Sequence, residues 1–308
     1  MALPSGIACL LAKSTHAERA EPVGKLLEFP RALEVPLQLQ PRELIGRARE
    51  VLPEGTLPVG LGLFIASASA YGVVIIINAV VGDKGYAGFG VFWSLIFVIG
   101  PGIFLPLEQE VSRAIAHRST EGVGSAPIVR RAATVGGIAA VIVAAIASGF
   151  SSVMIEHLFH GSGTLLVAFL ISLFGFYVMH LTRGVLSGNG RFIPYGVMVG
   201  ADGVIRLVLV GALAIGGVST VGPFGLIMAI TPFLASLAVL LDRRGLLSPG
   251  PHADWSELSA ALGMLLTISI LAQVLAYLAL MISGVSASFE VARSFTNAFF
   301  VALNAVLL

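Results

Sequence analysis

Ionisable side chains occur inside the long apolar stretches of this sequence. In residues 192–215, Asp202 and Arg206 are four residues apart and therefore share one face of a helix. An ionised side chain near the centre of a bilayer costs on the order of 3 kcal/mol, so each one needs a partner or a polar cavity. Two interpretations remain open: a structural ion pair, or a substrate-binding site in which Arg206, beside Asp202, attracts an anionic phosphate-bearing substrate.

A second charged pair begins a later apolar stretch. Glu290 and Arg293 are three residues apart and again share a helical face. Long charged side chains near a helix end can extend to the membrane surface and satisfy their charge there. Arg293 lies deeper in the stretch than Glu290, so we expect it either to anchor the helix at the interface or to bind substrate within a cavity.

A third group of charges follows Phe104 in the segment FLPLEQEVSRAIAHR. Glu108, Glu110 and Arg113 lie here at one end of an apolar stretch, after a proline, Pro106, that is expected to kink the helix. A gate that closes by exchanging ion pairs would use such residues, although solvated charges at a helix end are the simpler alternative. The three residues are therefore candidate gating residues.

Other reactive residue types give weak signals for chemistry. His157 and His160, with Glu156, have a spacing that could hold a metal ion on one helical turn, but two histidines without further ligands are more often incidental. We predict no metal site and no cofactor. The only cysteine is Cys9, which excludes an internal disulfide. The sequence contains no P-loop, HExxH or GxSxG motif, so we predict that the protein is not an enzyme.

The elements that position these residues are apolar helices. Hydrophobic residues make up 56% of the 308 residues and charged residues 11%, about half the charged fraction of soluble domains. A membrane-spanning helix needs about 20 apolar residues. Eight such runs predict an all-α, polytopic helical membrane protein: Pro58 to Val81, Tyr86 to Pro106, Ala132 to Phe150, Gly163 to Thr182, Phe192 to Ile215, Val218 to Leu241, Ser259 to Ile282 and Ser288 to Leu308.

The runs are grouped by polar segments. Residues 1–57 contain six of the 15 prolines and predict an aqueous N-terminal segment with a short interfacial helix at Pro41 to Leu52. Residues 58–241 then form a six-helix N-terminal lobe. Residues 242–258 form a polar linker, and residues 259–308 supply the first two helices of a second lobe.

Basic residues flanking the runs indicate the orientation, because cytoplasmic loops retain Lys and Arg. One set of segments contains eleven of them, and the opposite set contains only Lys84. We therefore predict a multi-pass protein of the cytoplasmic membrane with its N-terminus in the cytoplasm. The eleven are Arg42, Arg47, Arg49, Arg113, Arg118, Arg130, Arg131, Arg183, Arg191, Arg243 and Arg244. The net charge of +1 does not favour nucleic-acid binding.

Two glycine patterns concern packing. Gly188-Asn-Gly190 predicts a tight turn between the fourth and fifth spans, where glycine supplies positive φ angles. Gly196 and Gly200 have the small-xxx-small spacing that lets membrane helices approach closely.

Three stretches together resemble polysaccharide flippases of the multidrug/oligosaccharidyl-lipid/polysaccharide (MOP) exporter superfamily. They are LEQEVSR from Leu107, RGVLSGNGRF from Arg183 and DGVIR from Asp202. The resemblance implies two six-helix lobes around a central cavity, which moves lipid-linked sugars across the membrane by alternating access. By position it makes Arg206 and Arg293 the cavity cations, and Glu108, Glu110 and Arg113 the cytoplasmic gate.

Most of the second lobe is absent from the sequence. We therefore expect either a C-terminally truncated chain or one that needs a second copy. The expected partners are a lipid-linked saccharide and membrane lipids. Two alternatives remain: a cation-coupled drug exporter of the same superfamily, which would favour acidic residues in the cavity, and a non-transporting membrane scaffold or fragment. Among cavity candidates, only Asp202 is acidic.

Overall fold

The computed structural model describes residues 55–240, 246–258 and 262–286, together with residues 288, 290, 291, 294–296 and 298. Several sequence predictions fall outside these ranges. They concern Cys9, the interfacial helix at Pro41 to Leu52, Arg293 and most of the run from Ser288 to Leu308.

Seven long helices contain most of the described residues, and no strand occurs among those residues. They are α1 (Thr56–Val80), α2 (Asp83–Thr120), α3 (Ala126–Gly149), α4 (Gly163–Gly188), α5 (Phe192–Ile215), α6 (Val221–Leu240) and α7 (Leu262–Ser286). The helices α1 to α6 are each long and apolar enough to cross a membrane. Within lipid a helix satisfies its own backbone hydrogen bonds, which is why these runs are helical. The predicted all-α membrane fold is confirmed.

Three helices extend at least six residues beyond their predicted spans at the same end of the bundle; one of them is α4, which was predicted to end at Thr182 and continues to Gly188. The apolar run of α2 was predicted to finish at Pro106, but the helix continues to Thr120 through both Pro101 and Pro106. Packing of α2 between α4 and α7 holds the helix together where each proline removes a hydrogen bond. The start of α3 precedes the predicted Ala132, because Pro127 suits the first turn of a helix.

The helices pack in an order that differs from their order along the chain. α1 packs on α5, α5 on α6, α6 on α4, α4 on α2 and α2 on α7, while α3 lies against α4 and α2. The C-termini of α2 and α4 share one end of the bundle with the N-termini of α3 and α5. We call this the basic end, because it holds the described arginines of the predicted cytoplasmic side; Lys84 begins α2 at the opposite end.

Glycines bring α1 and α5 into close contact. A Cβ on Gly196 would lie 2.1 Å from the Pro58 carbonyl oxygen, and one on Gly203 would lie 2.7 Å from Ala66 Cα. At Gly200 the nearest atom would be 3.6 Å away, an ordinary contact distance. The closest approaches are therefore at Gly196 and Gly203, seven residues apart, and not at the predicted Gly196 and Gly200 pair.

Residues 246–258 of the predicted linker are docked against the basic end. The backbone N–H of Ala126 donates to the Ser248 carbonyl at 3.0 Å, and the Asn189 side chain donates to the Leu246 carbonyl at 3.3 Å. A Cβ on Gly124 would lie 2.1 Å from the Pro249 carbonyl oxygen. The linker thus contacts the α2–α3 and α4–α5 connections at once.

Arg118 is the centre of this docking and is only 4% exposed. Its guanidinium donates to the carbonyl oxygens of Gly124 at 2.9 Å and Pro251 at 2.8 Å, and to Glu257 Oε2 at 2.6 Å. Burial acts to raise the pKa of Glu257, but hydrogen bonds from the Asp254 backbone and from Arg118 outweigh it and hold that pKa below its usual value. Ionised Glu257 therefore stabilises the docked linker.

Replacing Gly62 tests the contact between α1 and α5. A Cβ at Gly62 would lie 2.2 Å from the Gly196 carbonyl oxygen, so Gly62→Ala must separate the two helices. We expect its Tm in detergent to fall by about 3–8 °C. Gly60 is the matched control, because a Cβ there meets no atom within 4 Å. Equal Tm values for Gly62→Ala and Gly60→Ala, measured by size-exclusion chromatography after heating, would contradict the packing.

Neutralising Glu257 tests the docking of the linker. Because its folded-state pKa is depressed, the carboxylate adds stability above its unfolded pKa of about 4.3, and this stability is lost as the pH falls through the folded value. We expect Glu257→Gln to lower Tm by about 2–4 °C at pH 7 and by progressively less below about pH 4.5. The control Glu121→Gln removes an exposed carboxylate at the same end. A difference that is independent of pH would rule out the ionic contribution.

Candidate functional site

A carboxylate of α2 is buried where α2, α4 and α5 meet. Glu108 is 6% exposed and uses both of its oxygens. Oε2 lies 2.7 Å from His180 Nδ1 and 3.3 Å from Arg183 Nε, while Oε1 accepts a hydrogen bond of 2.8 Å from the Tyr195 hydroxyl. We call Glu108, His180, Arg183 and Tyr195 the Glu108 cluster. It joins three helices through one side chain.

Opposite charges balance within the cluster. Arg183 donates from Nε to the Tyr195 hydroxyl at 2.9 Å, and its guanidinium lies 4.9 Å from the centre of the Tyr195 ring. Ionised Glu108 and Arg183 compensate each other, which leaves the cluster neutral when His180 is neutral. Because Nδ1 of His180 faces the Glu108 carboxylate, neutral His180 carries its single ring proton on Nδ1.

The opposite nitrogen of His180, Nε2, is buried and has no hydrogen-bond partner in the structure. A buried polar atom in this state has a free-energy cost of about 1–3 kcal/mol, which a water molecule or a ligand would remove. The cluster therefore has one unused hydrogen-bonding position.

Local sequence explains how the cluster assembles. His180 and Arg183 are three residues apart on α4 and project from one face. Gly190, with a φ of +68°, turns the chain so that Tyr195 in the first turn of α5 returns to that face. Gly184 lets α2 approach, since a Cβ there would lie 2.8 Å from the Glu108 carbonyl oxygen.

The Asp202–Arg206 pair lies deeper along α5. The guanidinium of Arg206 donates to Asp202 Oδ2, and both side chains are buried. Asp202 is ten residues beyond Phe192, which places it about 15 Å along a helix of about 36 Å, near its middle. Tyr195, Asp202 and Arg206 follow a spacing of seven and four residues and therefore lie on one face of α5.

The hydrogen-bonding groups of the Asp202–Arg206 pair are not all used. Asp202 Oδ1 and Arg206 Nε are buried and have no hydrogen-bond partner in the structure. The predicted ion pair is present. Each partner also retains one polar atom that could form a hydrogen bond with a ligand or a water molecule.

The three candidate gating residues lie in two places. Arg113 Nη2 is 2.5 Å from Glu110 Oε1 and also donates to the Glu257 carbonyl oxygen at 2.6 Å. Glu108 instead belongs to the Glu108 cluster, because residues two apart on a helix point in different directions. The structure thus brings Glu110 and Arg113 together with the linker and separates them from Glu108.

Several site residues were not proposed from the sequence. Tyr195 and His180 were not singled out, and Arg183 served only as a basic residue flanking a span and as the first residue of a stretch that resembles flippases. The sequence feature that could have indicated these three residues is Glu108. A carboxylate beside an apolar run needs polar partners where it is buried. Arg293 lies outside the described residues, and Glu290 is exposed. Over the described ranges, no group of three His, Cys, Asp or Glu side chains is arranged to hold a metal ion.

Sequence comparisons give distant relatives. No protein-family model matches the chain. Uncharacterized proteins of Mycobacterium bovis and Mycobacterium tuberculosis are 29% identical to it over 165 residues. The alignment covers 53% of this chain and 38% of each relative, so the chain matches well under half the length of these proteins.

Solved structures with a similar arrangement of helices are transporters. A MATE crystallised with MaD3S has a TM-score of 0.61 at 16% identity, and a MATE in the straight conformation has 0.57 at 18%. A MOP superfamily transporter from Pyrococcus furiosus has 0.56 at 14%. Each comparison covers 82% of this chain and 60% of the other. The chain therefore has the fold of MATE and MOP superfamily transporters over about three fifths of their length.

Proposed function

We propose that the chain supplies the first lobe, α1 to α6, of a membrane transporter, together with the beginning of its second lobe. In this proposal the transporter is a flippase that moves a lipid-linked oligosaccharide or polysaccharide precursor across the cytoplasmic membrane by alternating access. One observation carries the proposal: a buried arginine, Arg206, lies near the middle of a membrane-spanning helix with its Nε unused.

Arginine suits the phosphate groups of such a substrate. Its guanidinium presents several N–H donors in a plane that matches phosphate oxygens, and charge-assisted hydrogen bonds of this kind are stronger than neutral ones. Asp202 already neutralises Arg206 in the absence of substrate and limits the cost of burying it. A phosphate that binds to Nε would use the donor that Asp202 leaves unsatisfied.

Asp202 and Arg293 complete the proposed substrate site. Asp202 positions the Arg206 guanidinium and retains Oδ1 as an acceptor for a sugar hydroxyl. Arg293, which lies outside the described residues, is proposed as a second cation on the resemblance to flippases alone.

The proposed gate lies at the basic end. Arg113 and Glu110 connect the end of α2 to Glu257 in the linker, and α7 begins five residues after Glu257, at Leu262. For the two proposed lobes to separate at this end, these contacts would have to break, or the linker would have to move together with α2. Glu108 takes part differently, by holding α2 to α4 and α5 within the first lobe.

The proposed cavity requires further helices. They come either from a continuing chain or from a second copy of this one. Membrane lipids surround the apolar faces, and the proposed activity is transport without covalent chemistry.

A cation-coupled drug exporter is the second candidate, and Glu108 favours it. The first lobe buries three carboxylates, Glu108, Glu110 and Asp202, and not Asp202 alone as the sequence suggested. A buried carboxylate can exchange a metal ion or proton for its internal partner. Arg183, Arg113 and Arg206 compensate Glu108, Glu110 and Asp202 respectively, which weakens this interpretation relative to the flippase.

Substitution of Arg206 separates the two candidates. In proteoliposomes that contain the full gene product, we expect Arg206→Gln to slow translocation of a lipid-linked saccharide about 10- to 100-fold, because one charge-assisted hydrogen bond to phosphate is lost. Arg206→Lys should retain part of the activity. Arg130→Gln is the control, since it removes an exposed arginine of the basic end.

Two results would decide against the flippase proposal and in favour of the drug exporter. If Arg206→Gln leaves saccharide translocation unchanged, the flippase proposal is wrong. If Glu108→Gln then abolishes efflux of a cationic dye driven by an ion gradient, the drug-exporter candidate replaces it.

A further inference from the structure

Trp255 is a large aromatic side chain on the surface of the docked linker. It begins a short 3₁₀ helix, Trp255–Glu257, and is 60% exposed. Hydrogen bonds from Arg118 hold the linker on both sides of this side chain, one to the Pro251 carbonyl oxygen at 2.8 Å and one to Glu257 Oε2 at 2.6 Å. The backbone that carries the exposed indole ring is therefore fixed against the basic end.

The indole ring lies against an arginine of α3. The guanidinium carbon of Arg131 is 4.5 Å from the centre of the Trp255 ring, which is a cation–π contact. Arg131 Nη2 also lies 3.1 Å from His252 Nε2. Because two side chains of the linker contact this one guanidinium, the depth of Arg131 in the membrane sets the depth of Trp255.

Arg131 marks the point at which α3 enters the hydrocarbon of a membrane. It is the last charged residue of that helix, since residues 132–149 are all uncharged. At a rise of 1.5 Å per residue, these 18 residues extend about 27 Å, close to the roughly 30 Å thickness of the hydrocarbon core. Arg131, and Trp255 with it, therefore lies at the level of the lipid headgroups.

The face of α3 that carries Arg131 is turned away from the other helices. Ile138 and Ile142 follow Arg131 by seven and eleven residues, which places all three on one face. Ile138 is 55% exposed and Ile142 is 53% exposed, whereas Gly136 and Ala140 on the opposite face are buried. From the membrane surface inward, this side of the bundle thus presents the indole ring and then exposed apolar side chains.

We propose that Trp255 inserts into the headgroup region of the membrane leaflet at the basic end and attaches the linker to the lipid surface. Tryptophan is enriched at membrane interfaces because its ring joins an apolar body to one N–H donor. The adjacent Arg131 guanidinium matches lipid phosphate groups. The carboxylate beside Trp255 in the chain, that of Asp254, accepts a hydrogen bond from the Glu257 backbone within the same turn. This contact is independent of the proposed transport function and of Arg206.

Fluorescence quenching by brominated lipids tests the insertion. The full gene product is reconstituted in vesicles of phosphatidylcholine and phosphatidylglycerol that carry bromine either near the top of the acyl chains or near their ends. The sequence contains one other tryptophan, Trp93, which is 3% exposed. The Trp255 emission is therefore taken as the difference between the wild-type protein and Trp255→Phe. We expect bromine near the top of the chains to quench this emission by roughly half, and bromine near the ends to quench it less, because an interfacial side chain is buried by only about 5–10 Å.

A deeper tryptophan on the same face of α3 is the matched control. Ile142 lies 11 residues, or about 16 Å, beyond Arg131 and therefore near the middle of the hydrocarbon. Ile142→Trp in the Trp255→Phe background should show the reverse order, with stronger quenching by bromine near the chain ends.

Three results would overturn the proposal. If bromine at neither depth quenches the Trp255 emission, the ring does not contact lipid. Quenching by acrylamide would then place the ring in water, and protection from acrylamide as well would place it against another part of the protein or a second copy. If bromine near the chain ends quenches Trp255 more strongly, as in the Ile142→Trp control, the ring lies in the hydrocarbon and not among the headgroups.

Discussion

A buried carboxylate that must be neutralised determines how the basic end of the bundle is built. Glu108 on α2 is removed from water, and the cost of burying its charge is offset only by partners on α4 and α5. Its hydrogen bonds and ion pairs therefore tie together three helices that apolar contacts alone could let slide. The Gly188 to Gly190 turn and the close approach at Gly184 are the local conditions that bring those partners within reach.

Polar groups form two further layers around this cluster. Towards the membrane centre, Asp202 and Arg206 continue the face of α5 that begins with Tyr195. Towards the end of the bundle, Arg118 fixes the linker through hydrogen bonds to Pro251 and Glu257, and a third hydrogen bond joins it to Gly124 in the α2–α3 connection. These contacts hold the described helices together from the basic end to the middle of α5, as rigid-body movement of the first lobe in the proposed alternating access would require.

The features that the sequence predicts correctly are those that depend on local interactions. Apolar runs of about 20 residues predict the helices, and the spacing of four predicts the Asp202–Arg206 pair. It could not place Glu108 against His180, 72 residues away, or Arg118 against Glu257, 139 residues away, because helix spacing says nothing about which helices meet. The separation of Glu108 from Glu110, in contrast, follows from local helix geometry, because residues two apart on a helix point in different directions.

In the proposed function, Arg206 binds the phosphate of an anionic lipid-linked substrate near the middle of the membrane. The most direct measurement is a cryo-electron microscopy structure of the full gene product with a lipid-linked saccharide pyrophosphate bound. We expect phosphate density within hydrogen-bonding distance, about 3 Å, of Arg206 Nε, with Asp202 still in contact with the guanidinium. Substrate density elsewhere, with the Asp202–Arg206 pair unchanged and inaccessible, would contradict it.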